Sequence, residues 1–96
     1  MSPDHWAIVR DILHRIAPGQ EVWAYGSRAR GGAKTYSDLD LAIITQGPLP
    51  LDLACDLAEA FSNSDLPWKV DITDWATTTE AFRAIIAAEK VVVQKP

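Results

Sequence analysis

Three aspartates carry the strongest chemical signal in this sequence. Asp38 and Asp40 stand two apart at the head of the apolar run "DLDLAIIT", and Asp71 sits inside a second such run, "WKVDITDW". Residues two apart on a strand leave the same face, so the spacing predicts two carboxylates side by side. Like charges that close repel and raise each other's pKa unless a cation lies between them, and aspartate is a poor strand former. If the two runs are neighbouring strands, all three carboxylates converge at one end of a sheet. Such a trio suits Mg2+, which takes hard oxygen ligands and leaves its remaining positions to water and substrate phosphate. Two ions bridged there would clamp both the attacking and the leaving oxygen of a phosphoryl transfer. Taken singly, each aspartate fits an ordinary turn or a solvent-facing strand position equally well.

A second candidate lies upstream. Gly26-Ser27 directly follows the short apolar stretch "EVWAY". Glycine lets a backbone approach a phosphate closely, and the serine hydroxyl and following amides can donate to it. Arg28, Arg30 and Lys34 then supply three positive charges before the next acid, which suits a triphosphate. The stretch "GSRARGGAKT" is not a P-loop, because Gly32 stands where the lysine must be and Lys34 comes two residues late. Read alone, it would pass for a surface loop with solvated arginines.

The elements that must hold these residues can be read from apolar spacing. "SPDHWAIVRDILHRIAPG" reads as a helix: Ser2 caps it, Pro3 suits its first position, Asp4 favours its positive end, and Pro18-Gly19 stops it. Ile8, Ile12 and Ile16, with Val9 and Leu13, form its core stripe. Strands are expected at "EVWAY", "DLDLAIIT", "WKVDITDW" and "VVVQ". Positions 28–37 form a loop or a broken helical turn. Helices are expected at "LDLACDLAEAFSNS", with Leu53, Leu57 and Phe61 at spacing four, and at "TTTEAFRAIIAAEK", where Thr77 and Glu80 fit a capping box. The order α-β-β-α-β-α-β predicts an α/β or α+β fold, a small mixed β-sheet packed with helices.

Bulk properties narrow the function. The 96 residues suffice for one compact domain, 1–96, and the hydrophobic (48%) and charged (23%) fractions are ordinary for a globular protein. A net charge of −4 argues against a broad nucleic-acid surface. The single cysteine, Cys55, excludes an internal disulfide and a cysteine-based zinc site; its neighbours Leu53, Ala54, Leu57 and Ala58 predict a buried helix position. No apolar run approaches a membrane span and no signal-peptide pattern opens the chain, so the expected location is the cytoplasm.

Gly26-Ser27, ten intervening residues and Asp38-Leu39-Asp40, followed by "KVDIT" with a third acid, together resemble the nucleotidyltransferase superfamily of DNA polymerase beta. The local form "GSRARG…SDLDL" is close to its minimal members, the MNT proteins, and the resemblance covers most of the chain. It implies that Asp38, Asp40 and Asp71 hold two Mg2+ ions (Mn2+ substituting), with Asp71 also helping to deprotonate the attacking hydroxyl. Asp74, the nearby rival to Asp71, sits later, near the expected strand end. The resemblance further implies that Gly26 and Ser27, with Arg28 and Arg30, hold the phosphates of ATP, and that a nucleoside monophosphate passes to a hydroxyl with release of pyrophosphate. Relatives that modify aminoglycosides carry a further helical domain, for which 96 residues leave no room. Minimal members are often paired with a helical HEPN protein, a ribonuclease toxin, to which the MNT protein is antitoxin by adding AMP to a tyrosine. A hetero-oligomer with such a partner is therefore expected.

Two readings remain in competition. In one the chain is a metal-dependent AMP transferase acting on a protein hydroxyl; in the other it is an antitoxin or regulatory module that silences its partner by binding without turnover. The intact motif favours transfer. Of the four tryptophans (Trp6, Trp23, Trp68, Trp75), Trp23 reads as core, while Trp68 and Trp75 bracket the third strand, where one of them exposed would suit a docked partner.

Overall fold

The structure, a computed structural model, describes residues 1–31 and 37–96, Arg30 by its backbone alone. Among the described residues, four helices and four strands alternate in the order α1 (Pro3–Ile16), β1 (Glu21–Tyr25), α2 (Ser27–Arg30), β2 (Leu39–Ile44), α3 (Leu51–Ser62), β3 (Val70–Asp74), α4 (Glu80–Glu89) and β4 (Val91–Gln94), with one 3₁₀ turn, Trp75–Thr77, between β3 and α4. The expected mixed sheet is present, with α2 as the short helical turn inside the glycine-rich stretch. Ser2 caps α1, its hydroxyl accepting from the His5 N–H at 3.2 Å.

The strands lie in the order β3-β2-β1-β4. β1 runs antiparallel to both β2 and β4, whereas β2 and β3 are parallel. Parallel neighbours need a crossover, and α3 supplies it. One sheet face carries Val22, Ala24, Leu39, Leu41, Ile43 and Val93, which pack with Val9, Ile12 and Leu13 of α1 and Leu57 and Phe61 of α3 into the main core. The opposite face carries a smaller cluster, Tyr25 and Ala42 against Ile86 of α4, bordered by Trp23, Ile44 and Trp75. The second core is thin because this face also carries Asp40, Asp71 and Thr73.

The structure corrects several sequence expectations. Cys55 is exposed: with Leu57 and Phe61 turned to the core, a residue two positions before Leu57 falls on the far side of the helix. α4 is capped by Thr79, whose hydroxyl accepts from the Phe82 N–H at 3.2 Å. Thr77 belongs instead to the 3₁₀ turn and donates to the Asp74 carbonyl, so the Thr77–Glu80 capping box does not form. Asp38 precedes β2 rather than opening it. Trp68 and Trp75 are both half-buried, so neither is the exposed tryptophan anticipated; Trp75 packs edge-on to Trp23 at 5.1 Å.

These placements make unequal demands on α3. Leu57 is fully buried, so Leu57→Ala should cost about 2–5 kcal/mol of unfolding free energy. Cys55→Ala should stay within about 0.5 kcal/mol. Urea titrations of both variants check this, and the Cys55 thiol of the folded wild type should react with a thiol reagent as fast as that of the unfolded chain.

Candidate functional site

β2 and β3 pair in a register that sets Asp40 opposite Asp71, and the antiparallel register of β1 sets Tyr25 opposite Asp40. Asp40, Ala42, Asp71, Thr73, Trp23 and Tyr25 therefore share one sheet face by the period of two. Asp38 stands two residues before Asp40, where the chain enters the sheet. Burial pushes the Asp40 carboxyl above its ordinary value, and the charges of Asp71, Asp38 and Glu89 push it further in the same direction. Four acids thus bear on one point, the condition that a cation relieves.

Tyr25 closes one side of this point. Its ring reaches across β2 above Ala42, and its hydroxyl shares a 2.7 Å hydrogen bond with Thr73 Oγ1 on β3. A side chain larger than alanine at position 42 would obstruct that path. Burial, first, and then Asp40, Asp71 and Glu89 raise the phenol's pKa against the opposing effect of the Thr73 bond, so Tyr25 remains neutral. Phe82 of α4 packs edge-on to the Tyr25 ring at 5.9 Å.

Gly26 closes another side. Its φ of +79° lies in the left-handed region, and a Cβ there would meet Asp40 Oδ2 at 2.8 Å. No other residue type passes so close to the carboxylate without displacing it. The Gly26 N–H donates to Glu89 Oε2 at 3.1 Å, which brings the end of α4 to the site. Ser27 begins α2 directly after it and is half-buried. Arg28 reaches Trp68, its guanidinium carbon 3.7 Å from the centre of that ring, and its Nε donates to the Ser37 carbonyl. The Arg30 side chain and Lys34 lie outside the described residues.

Asp74, the alternative third acid, is committed elsewhere. Its carboxylate accepts from the Leu49 N–H at 2.9 Å and the Ala76 N–H at 3.2 Å, and caps the 3₁₀ turn. Asp71 faces Lys69, with Nζ 3.6 Å from Oδ1 in an exposed pair. Sequence reasoning missed Glu89, Lys69 and Tyr25. Glu89 lies far along the chain with no spacing to tie it to the motif. Tyr25 precedes Gly26 directly, and its pairing with a charged strand residue follows only from the register.

A hard, oxygen-rich donor set beside a backbone that only glycine can supply fits a divalent cation and a phosphate chain. Among the described residues no three acidic, histidine or cysteine side chains are grouped closely enough to hold a metal alone, and none of the described helices is long and apolar enough to cross a membrane.

Comparison with known proteins gives the family. The family described as "Polymerase beta, Nucleotidyltransferase" matches residues 10–96. The "Probable protein adenylyltransferase MntA" of Haemophilus influenzae is 57% identical over 95 residues, spanning 99% of this chain and 83% of the relative. Among solved structures, a toxin–antitoxin crystal structure with AMP-PNP superposes with a TM-score of 0.79 at 18% identity, covering 95% of this chain and 73% of the other. A tri-AMPylated Shewanella oneidensis HEPN toxin in complex with its MNT antitoxin gives 0.74 at 16% identity, covering 100% and 74%. At such identities the solved structures speak for the fold, and the family match and the Haemophilus relative for descent: the chain belongs to the polymerase beta nucleotidyltransferase family.

Proposed function

We propose that this protein transfers AMP from ATP to a hydroxyl of a partner protein, a tyrosine of a cognate HEPN-type toxin, and so acts as its antitoxin in the cytoplasm, where ATP is at hand. The observation that carries the reading is the in-register pair Asp40–Asp71 with Gly26 pressed against Asp40. The named functions of the relatives, a protein adenylyltransferase and an MNT antitoxin in complex with an AMPylated HEPN toxin, support a protein acceptor and this class of partner; the tyrosine is what the family resemblance implies.

In this reading Asp38, Asp40 and Asp71 hold Mg2+, or Mn2+ in its place, with ligands completed by the triphosphate. Bound there, the metal withdraws charge from the phosphates and the attacking oxygen. The Gly26 N–H and the Ser27 hydroxyl hold the outer phosphates, a role the sequence motif extends to Arg30; Glu89 gives up its bond to Gly26 when they enter. Lys69 leaves Asp71, a small loss because an exposed pair contributes little. Asp71 takes the proton of the acceptor hydroxyl as its oxygen bonds to the α-phosphorus. The bond from that phosphorus to its bridging oxygen breaks, and pyrophosphate carries away the electron pair. The modified tyrosine carries a bulky, negatively charged group that would repel an RNA backbone.

Silencing by docking alone uses the same partner but not the carboxylates. Asp38→Asn and Asp40→Asn keep the shape and remove the charge that holds metal. Each should cut AMP labelling of the partner by at least about a hundredfold while complex formation persists. Intact mass of the partner and a growth assay at matched expression check this. Aspartate variants that protect cells as well as wild type, with no AMP mass on the partner, would leave docking as the mechanism.

Asp40→Asn should also stabilise the metal-free fold. The folded-state pKa of Asp40 is raised, so its contribution to stability is fully present below the unfolded value and is lost as pH rises through the folded value. The amide cannot ionise and avoids that loss. In EDTA the variant should melt a few degrees above wild type at pH 7.5, a modest gain because the group is half-exposed. The gap should close below about pH 4. Magnesium with ATP should reverse the ranking, since only wild type binds them strongly. Calorimetric melts across pH read both effects.

A further inference from the structure

Arg28 is the first charge after Gly26-Ser27, where a phosphate ligand would be expected, yet its guanidinium is engaged with other parts of the fold. Its Cζ lies over the Trp68 ring, 3.7 Å from the ring centre, and its Nε donates to the carbonyl of Ser37, the residue before Asp38, at 2.5 Å. His5, in the first turn of α1, packs edge-on to the same indole at 4.7 Å and 77°. One residue beyond Trp68, the Lys69 carbonyl accepts the Leu39 N–H at 2.9 Å, which starts the β2–β3 register. Arg28 and Trp68 therefore join three short segments: the turn that carries Ser27, the residue that leads into Asp38, and the approach to the strand that carries Asp71.

We propose that Arg28 is a positioning residue for nucleotidyl transfer. Stacked on Trp68 and bonded to the Ser37 carbonyl, it sets the separation between the Gly26-Ser27 turn and Asp38, and so the fit of the metal–triphosphate unit between them. Gly31 ends the turn with φ +82°, in the left-handed region, and the contacts of Arg28 tie the turn to Ser37 among the described residues. A planar, forked side chain can stack and donate along its edge together, which a lysine ammonium cannot do. A displacement of about 1 Å between reacting groups is enough to cost about a hundredfold in rate.

The activity readout rests on the adenylyl-transfer reading; a binding readout does not. Arg28→Lys keeps the charge and loses both the stack and the Nε bond. Trp68→Leu keeps Arg28 and loses the stack, while Trp68→Phe keeps an aromatic face. For Arg28→Lys and Trp68→Leu, kcat for AMP transfer to the partner should fall about tenfold to a hundredfold. KM for ATP should stay within about threefold, and Trp68→Phe should recover most of the rate. Calorimetric titration of ATP with Mn2+ should require about tenfold more Mn2+ for half-maximal binding in the two defective variants, while metal-free ATP affinity stays unchanged. If Trp68→Leu does not fold, the Arg28→Lys and Trp68→Phe pair still decides. A phosphate-binding Arg28 would raise KM in Arg28→Gln, spare kcat in Arg28→Lys and leave Trp68→Leu normal; that pattern overturns the proposal. If wild type labels no partner, the transfer reading fails, and the Mn2+ titration still tests the positioning role.

Discussion

Two carboxylates held in register on neighbouring parallel strands impose the condition to which the rest of this fold answers. Asp40 and Asp71 cannot relax apart without breaking the β2–β3 ladder, and burial, with the Asp71 charge next, raises the Asp40 pKa. The sheet must therefore be stiff where it carries them. Stiffness comes from the far face, where Leu39, Leu41 and Ile43, each fully buried, alternate with Asp40 and Ala42 along the same strand. Because β2 and β3 are parallel, a crossover helix is obligatory, and α3 lands with α1 on the face away from the acids. The main core is thus a consequence of the parallel pairing and also its support.

The functional face is built with the opposite economy. α4 covers only part of it, through Ile86, and the remaining cover comes from side chains that lie across the sheet. Tyr25 spans β2 to reach Thr73 because Ala42 is small, and Glu89 reaches the Gly26 N–H from the end of α4. These contacts are polar or aromatic and lie at the edge of the acidic cluster. They leave Asp40 half-buried, where a fully packed second core would bury it.

Much of this was legible in advance because it rests on short-range rules. Periods of two and near four located the four strands and three longer helices, and the ten-residue interval between Gly26-Ser27 and Asp38-Leu39-Asp40 marked the site. The readings that failed depended on choices between adjacent positions. Cys55 stands among apolar neighbours in sequence, yet the helix turns it away from Leu57 and Phe61. Thr77 and Thr79 are equally good caps by type; the 3₁₀ turn nucleated by Asp74 takes the first and leaves the second to α4. Glu89 and the Arg28–Trp68 stack join residues 63 and 40 positions apart, and such contacts become visible only with the register of the sheet.

Asp71 and Asp74 show how one residue type is divided between chemistry and architecture by parity alone. Three positions apart on β3, they fall on opposite faces and at opposite ends of the strand. Asp74 meets the Leu49 and Ala76 amides and the Thr45 hydroxyl. Its backbone carbonyl accepts from Thr77 and Thr78, while Arg83 holds the Trp75 carbonyl at 3.0 and 2.8 Å. Withdrawing that carboxylate would unfasten the turn that launches α4, and with it Ile86, Phe82 and Glu89. Asp71 meets the mobile end of a lysine in an exposed pair, a partner that is displaced at little cost. One carboxylate is tied into the turn by the Leu49 and Ala76 amides and the Thr45 hydroxyl and cannot exchange them; the other keeps a replaceable cation, the condition that the proposed metal and proton roles of Asp71 would need.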